Sequence, residues 1–149
     1  MDGYKEWAQN FSMEWLGELM NSLEKNCSPE QCTLIFEPCG ECHYKSMEKM
    51  IEKYVGDLGG FIKFMSDEHG QIITYDKSKK TILVDENKSY CVCPITQCMN
   101  GKKMSPVLCH CSSNMTGKMI AKITGKQVKS RVVASVLRGD KSCIYEIEL

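Results

Sequence analysis

Ten cysteines occur among the 149 residues, and two pairs of them have a spacing that suits metal ligation. Cys91 and Cys93 form one Cys-x-Cys pair, and Cys109 and Cys111 form another. In an extended segment, residues two apart point to the same side, with Cα atoms about 6.6–7 Å apart. Two such pairs would supply four thiolates, the closed ligand set of a structural zinc site or an iron–sulfur centre. We therefore expect these four cysteines to bind one metal centre, zinc or, as the alternative, an iron–sulfur cluster. The alternative is that they are buried apolar side chains.

A second group of metal-ligating residue types follows Pro38. Cys39 and Cys42 have Cys-x-x-Cys spacing, which is typical of a metal knuckle or of a redox pair activated at a helix start. His43 and His110 each adjoin a cysteine and could replace one as a ligand, although an extended segment would point His110 away from its neighbours. Period-two alternation in the last strand points Cys143 towards the core. The additional or alternative ligands are therefore Cys39, Cys42, Cys143, His43 and His110.

Charge and hydropathy limit the class of protein. Nineteen basic residues balance nineteen acidic ones, so no long-range field favours nucleic acid or an anionic membrane. The first residues lack the basic start and apolar run of a signal peptide, and no apolar stretch approaches the ~20 residues of a membrane span. These features predict a cytoplasmic protein, where many cysteines more often bind metal or do thiol chemistry than form disulfides.

The first half of the chain has the pattern of helices. Trp7, Phe11, Trp15 and Leu19 recur every four residues, which predicts an amphipathic helix over 2–25 with this stripe in the core. Ser28 and Pro29 predict the start of a short helix through residue 36. Further helices are expected over 46–55 and 58–68. Between them, Pro38 and Gly40 should interrupt the chain and place Cys39 and Cys42 on a turn or at a new helix start.

The second half has the pattern of strands. Segments 71–76, 80–85 and 88–93 are rich in β-branched and aromatic residues and predict an antiparallel meander. A helix is expected over 114–124, capped by Ser112 or Ser113, before a hairpin of 128–137 and 142–149. The predicted fold class is α+β, with N-terminal helices packed on an antiparallel sheet (a meander plus a C-terminal hairpin) and one further helix before the hairpin. We expect a single domain over 1–149, helical over about 1–69, with the sheet and cysteine cluster over about 70–149.

The C-terminal sixty residues resemble a known group of proteins. The segments that carry the likeness are Cys91-Val92-Cys93-Pro94, Cys109-His110-Cys111-Ser112 and 135–145. They resemble an uncharacterised cysteine-rich bacterial family that is similar to aminothiazoline-carboxylate hydrolases and, distantly, to the vinyl-reductase-type small-molecule-binding domain. That domain usually has another cysteine where this chain has Ser135. The resemblance implies helices on an antiparallel sheet, a metal or ligand site near the cysteines, and a pocket for a small apolar or heterocyclic compound.

Three functions compete on these grounds. The first is a metal-binding cysteine-cluster domain, with zinc as the favoured metal, that acts as a small-molecule-binding or sensor module. The second is a metal-dependent hydrolase of a small heterocyclic or amide substrate, with Glu41, His43 and His110 as its acid–base candidates. The third is a thiol redox protein that uses Cys39 and Cys42. The sequence leaves open whether the protein is an enzyme and what its oligomeric state is.

Overall fold

Six helices and four strands make up the computed structural model, which describes residues 2–149; Met1 lies outside the described residues. The helices are α1 (Asp2–Asn26), α2 (Pro29–Ile35), α3 (Glu37–Ile51), α4 (Leu58–His69), the short α5 (Pro94–Gln97) and α6 (Cys109–Thr124). The strands are β1 (Ile72–Asp76), β2 (Thr81–Asp85), β3 (Lys129–Ala134) and β4 (Ile144–Glu148). The predicted α+β fold class is confirmed.

The four strands form one antiparallel sheet in the order β1-β2-β4-β3. Ile82 pairs with Ile147 in the register of the two central strands, and both side chains are fully buried. The two predicted hairpins are therefore confirmed. The predicted third meander strand over 88–93 is wrong, because β2 already has β1 on one side and β4 on the other. That segment is coil and leads into α5.

Two clusters of buried side chains hold the helices in place. The larger one joins α3, α4 and α6 to the sheet and includes Ile82, Ile120, Ile123 and Ile147. The smaller one joins α1 and α2 to the segment around Met104 and Leu108. In the described part of the chain, no helix is both long enough and apolar enough to cross a bilayer.

Helix starts follow the capping signals closely. Ser28 caps α2 through a capping box with Gln31, and Pro29 occupies the first turn, as predicted. Helix α6 begins five residues earlier than its predicted start at 114, because Ser105 and Pro106 open a helical turn that leads directly into it. The Ser105 hydroxyl accepts a hydrogen bond from the Val107 N–H. This Ser-Pro signal matches the one at Ser28-Pro29.

The predicted break before Cys39 is confirmed, since α2 ends at Ile35 and α3 begins at Glu37 with Pro38 in its first turn. Gly40 itself lies within α3 and does not interrupt the chain, so that part of the prediction is wrong. A Cβ at this position would lie 2.5 Å from the Asn114 Cβ and 3.2 Å from the Cys111 carbonyl oxygen. Glycine therefore allows the backbones of α3 and α6 to approach closely. Helix packing therefore explains why a glycine lies between Cys39 and Cys42.

Substituting Gly40 tests this contact. We expect Gly40→Ala to lower the free energy of unfolding by about 1–3 kcal/mol, because a Cβ forces two backbones apart. The matched control is Gly17→Ala in α1, where a Cβ meets nothing within 4 Å. Alanine is the better helix former by about 1 kcal/mol, so the control should be neutral or stabilising. Thermal denaturation of both variants measures the difference, and equal melting temperatures would contradict the close-packing argument.

Candidate functional site: a thiol-lined cavity

Cys109 and Cys111, which were predicted to bind the same metal ion, lie on different sides of helix α6. Each helical residue turns the chain by about 100°, so residues two apart point to nearly opposite sides. Cys109 accordingly packs in the larger cluster with the sheet, whereas Cys111 packs in the smaller cluster beside Cys93. The prediction of an extended Cys109-His110-Cys111 segment is wrong, and this removes the geometric basis of the four-thiolate site.

Cys91, Cys143 and Cys109 lie together at the junction of α6 and β4. The pairing of Ala134 with Ile144 places Cys143 beside Ser135, whose hydroxyl contacts the Cys109 sulfur. The pKa of each of the three thiols also depends on its neighbour, Cys91 on Cys143 and Cys143 on Cys109. The hydroxyl oxygen of Ser135 lies 3.1 Å from the Cys109 Sγ and accepts a hydrogen bond from the Leu137 N–H. The Ser135 proton is thus free to be donated to sulfur. We call Cys91, Cys143 and Cys109 the thiol chain.

The neighbours of Cys109 lower its pKa. Donation from Cys143 is the largest influence that lowers the pKa of Cys109, and donation from Ser135 adds to it against the opposing effect of burial. The pKa of Cys143 is raised by its bond to Cys109. The pKa of Cys91 is also raised, first by its bond to Cys143 and then by burial. Cys109 is therefore the nucleophilic thiol of the three.

The remaining predicted cysteine ligands form a separate group. Burial raises the pKa of Cys111 to about 12, and repulsion from nearby Cys93, Cys39 and Cys42 acts in the same direction. Burial also raises the pKa of Cys93. Cys39 and Cys42 are exposed in the first turns of α3. These thiols surround the contact between α3 and α6, and the buried pair stays neutral at physiological pH.

Neither candidate histidine joins the thiol chain. The Nδ1 of His110 lies 3.2 Å from the Thr33 hydroxyl, and the ring faces a surface groove between α2, α6 and β3. His43 lines the cavity described below. Burial lowers the pKa of both imidazoles, so they are neutral near pH 7.

The predicted metal-binding function is wrong for this arrangement. Among residues 2–149, no group of three or more His, Cys, Asp or Glu side chains is arranged to hold a metal ion. Metal-dependent hydrolysis loses its basis for the same reason. The choice between zinc and an iron–sulfur cluster and the assignment of individual cysteines as ligands are not tested by these contacts and stay predictions.

A cavity of about 480 Å³ opens beside the thiol chain, between the sheet and helices α3, α4 and α6. Its walls are mainly apolar, and all three members of the thiol chain line it. The Cys109 side chain is only 4% exposed. The volume falls in the range of about 300–1,000 Å³ that ligand-binding pockets occupy. The apolar walls that line it are Met47, Phe61, Met65, Ile73, Val84, Leu108, Met115, Met119 and Leu137.

A small polar patch interrupts this apolar lining. The Gln71 side chain, 8% exposed, donates from Nε2 to the Glu86 carboxylate at 2.8 Å, while its buried Oε1 has no hydrogen-bond partner. Burial raises the pKa of Glu86. A buried acceptor without a partner costs about 1–3 kcal/mol, which is the kind of cost that functional cavities carry.

The sequence analysis located Cys109 and Cys143 but gave them other roles, and it missed Ser135 as a hydrogen-bond donor to sulfur. It also missed the cavity residues Gln71 and Glu86. Period-two alternation did place Cys143 and Tyr145 on the inward face, and both are buried. The Ser105-Pro106 helix start was the one signal from which the true orientation of Cys109 could have been found.

The pH dependence of thiol alkylation tests the role of Ser135. Ser135→Ala removes a donor that stabilises the Cys109 thiolate, so the pKa of Cys109 should rise. The pH profile of Cys109 alkylation should therefore move to higher pH than in the wild type. The measurement is iodoacetamide labelling of the native protein at pH values from about 6 to 10, a range that covers the pKa of ordinary thiols. Peptide mass spectrometry then gives the extent of labelling at each cysteine. Ser105→Ala is the matched control, a buried serine bonded to Glu24 rather than to a thiol. An unchanged profile in Ser135→Ala would contradict the assigned donor.

Comparison with known proteins gives a fold and no family. No family model matches the sequence, and no curated protein matches it. Among solved structures, the chain is similar to trafficking protein particle complex subunit 3 from Naegleria fowleri, in a crystal structure covalently bound to palmitic acid. The TM-score is 0.50 at 11% sequence identity, over 97% of this chain and 96% of that chain.

This neighbour corrects the resemblance drawn from the C-terminal motifs. The structural similarity is to a trafficking-complex subunit, not to an aminothiazoline-carboxylate hydrolase or a vinyl-reductase-type domain. The predicted metal-binding sensor module is therefore wrong, and so is the expectation of a small apolar or heterocyclic ligand as the partner. The alternative hydrolase and Cys39/Cys42 redox protein are not supported either. At this level of identity the comparison shows that the two chains share a fold.

Proposed function

We propose that this chain is a subunit of a multi-protein assembly and docks another protein through the exposed face of α1. The observation that carries the proposal is a row of large apolar side chains in solvent. Trp7 and Trp15 are 56% and 57% exposed, although the sequence analysis expected them in the core. We call this row the aromatic ridge; it comprises Tyr4, Trp7, Phe11, Trp15 and Leu19.

The ridge and the anchoring face of α1 lie on opposite sides of the helix. The anchoring residues Met13, Leu16, Met20 and Leu23 pack on the smaller buried cluster. The residues of the ridge follow each other at intervals of three or four, so they share one face, which the fold of the described chain leaves uncovered.

The ridge has the composition of a protein interface. The rings of Tyr4, Trp7 and Phe11 follow one another with centroids 5.4 and 5.5 Å apart, which gives a continuous surface. Contiguous exposed apolar surface of this kind marks interaction sites, and Trp and Tyr are enriched among the residues that dominate binding energy. The structural neighbour's description as a subunit of a trafficking complex supports a partner that is a protein.

We place this assembly in the cytoplasm as part of the proposal. All ten cysteines are free thiols in the structure, including pairs in close contact. A chain with this many neighbouring thiols suits a reducing compartment.

Site-specific photocrosslinking tests the docking face. A benzophenone amino acid at position 7 or 15, in the full chain expressed in its native cells, should give a crosslinked protein adduct of defined mass. The same group at Leu34 or Val133, which are exposed but lie outside the ridge, should not. Adduct formation only at the control positions, or equally at all four, would contradict the proposal.

Tryptophan fluorescence of the purified protein gives an independent readout. The chain contains only two tryptophans, and both lie on the ridge. Binding of a partner identified by crosslinking, or of a second copy of this chain, should shift the tryptophan emission to shorter wavelength. It should also protect the tryptophans from acrylamide quenching. The double variant Trp7→Ser/Trp15→Ser should abolish crosslinking from position 11 while keeping the melting temperature, because neither ring packs in a buried cluster.

A second proposed function is that Cys109 carries a long-chain acyl group within the cavity. The specific observation is a buried thiol of lowered pKa that faces about 480 Å³ of mainly apolar space. The Cys109 thiolate would attack the carbonyl carbon of an acyl thioester, the donor's thiolate would leave, and a new thioester would form on the protein. Such an acyl group is a covalent modification of the subunit. The covalently bound palmitic acid in the neighbour's crystal structure supports this proposal.

Incubation with palmitoyl-coenzyme A tests the acyl group. We expect the intact mass to increase by one palmitoyl group and neutral hydroxylamine to remove it, as it does for thioesters. Cys109→Ser should lose the modification, whereas Cys98→Ser, which changes an exposed thiol remote from the cavity lining, should keep it. Retention of the acyl group by folded Cys109→Ser would overturn the assignment.

A further inference from the structure

The thiol chain has a feature that neither docking nor acylation uses, which is that two of its buried thiols, Cys109 and Cys143, both adjoin Ser135. Cys109 begins α6 and Cys143 immediately precedes β4, so the two belong to elements far apart in sequence. Both side chains are buried, at 4% and 3% exposure, and both line the cavity. The Cys143 backbone is held in place because its carbonyl accepts a hydrogen bond from the Glu86 N–H at 2.9 Å.

We propose that Cys109 and Cys143 form a reversible disulfide when hydrogen peroxide enters the cavity. Peroxide is a small, neutral oxidant that can enter a space of this size, and the cavity leads it to the buried sulfur. The site is thus a place of oxidative modification within the fold, and it is separate from the exposed Cys39 and Cys42.

The reaction balances as a two-electron oxidation. The Cys109 thiolate attacks one peroxide oxygen, the O–O bond breaks, and the leaving hydroxide takes up a proton to become water. Cys109 is then a sulfenic acid. The Cys143 sulfur, after losing its proton, attacks the Cys109 sulfur, the S–O bond breaks, and a second water leaves. In sum, two thiols and one hydrogen peroxide give one disulfide and two waters.

The hydrogen bonds assign different roles to the two sulfurs. Ser135 contacts the Cys109 sulfur, and the pKa of Cys109 is lowered whereas that of Cys143 is raised, so the Cys109 thiolate is the more favoured of the two and reacts first. Cys143 adjoins the same Ser135 and is therefore the thiol placed to resolve the sulfenic acid. Cys111 cannot substitute for Cys143, because it lies on the opposite side of α6 and packs beside Cys93.

Cys91 gives the disulfide a route to reduction. Its thiol interacts with Cys143, and it lines both the cavity and a shallow depression at the surface beside Tyr90 and Gln97. Attack of Cys91 on the Cys143 sulfur would transfer the disulfide to Cys91 and release Cys109. An external dithiol could then reach the bond from the surface depression.

Oxidation and acylation would compete for a single sulfur. This consequence rests on the proposed acylation, since a Cys109 held as a thioester cannot form a disulfide. The disulfide itself does not depend on acylation, and it is tested on protein that has met no acyl donor.

Peptide mapping of the oxidised full chain is the test. Reduced protein is treated with hydrogen peroxide, remaining thiols are blocked with iodoacetamide in denaturant, and the tryptic peptides are analysed without reduction. We expect a linked pair that joins the peptide containing Cys109 to the C-terminal peptide containing Cys143, and its loss after dithiothreitol. Fragment spectra must assign the bond to Cys109, because Cys111 lies on the same tryptic peptide.

Two variants complete the test. Folded Cys143→Ser should accumulate the sulfenic acid on Cys109, detected as a dimedone adduct, whereas Cys98→Ser should form the same disulfide as the wild type. Peroxide that oxidises Cys39 and Cys42 while leaving Cys109 and Cys143 as thiols would overturn the proposal, as would a bond from Cys143 to Cys111. The wild-type map decides the question even if a variant fails to fold. If palmitoyl-coenzyme A does not acylate Cys109, the linked Cys109–Cys143 peptide should still form with peroxide. Failure of the acyl proposal is therefore distinguishable from failure of the disulfide proposal.

Discussion

Helix α6 rests on α3 at Gly40 and on the sheet through Ile120 and Ile123, and this contact sets the direction of the surrounding thiols. With one face of α6 against the sheet, Cys109 must point to β4 and the cavity. Cys111, two residues on, must then point towards the smaller cluster. The same contact explains why a Cys-x-x-Cys motif contains glycine, since a side chain at position 40 would meet the α6 backbone. Packing between two helices therefore decides which cysteines can react together.

Placing a reactive thiol inside an apolar wall has an energetic cost, which the local hydrogen bonds offset. Burial by itself raises a thiol pKa, as it does for Cys93 and Cys111. The pKa of Cys109 is lowered instead, because the neighbouring Cys143 thiol and the Ser135 hydroxyl outweigh the effect of burial. Ser135 is held for that role by its own bonds, from its N–H to the Asp140 carboxylate and from the Leu137 N–H to its hydroxyl. The turn Arg138-Gly139-Asp140 thus supports the orientation of a buried serine.

The sequence was sufficient for most of the secondary structure and insufficient for the site. Capping residues located α2, β-branched and aromatic content located β1 and β2, and period-two alternation located the inward face of β4, because these signals are local. The conformation at Cys109 depends on the Ser105-Pro106 turn upstream, and reading the segment as extended reversed the direction of Cys111. The aromatic stripe of α1 gave the helix correctly, within one residue of its end at Asn26. Periodicity identifies an apolar face but not what covers it, so the burial of Trp7 and Trp15 was predicted wrongly. The single-domain organisation over 1–149 stays a prediction.

The aromatic ridge and the thiol chain are spatially independent within residues 2–149. No ridge residue lines the cavity, and α1 is anchored to the smaller cluster, on the side of α6 away from Cys109. A partner docked on the ridge therefore leaves the cavity entrance as it is, and chemistry at Cys109 does not change the ridge directly. Any coupling between the two must pass through α6, whose Cys109 faces the larger cluster and whose Cys111 faces the smaller one. A covalent group or a disulfide on Cys109 would act at the first residue of that helix, which contributes side chains to both clusters.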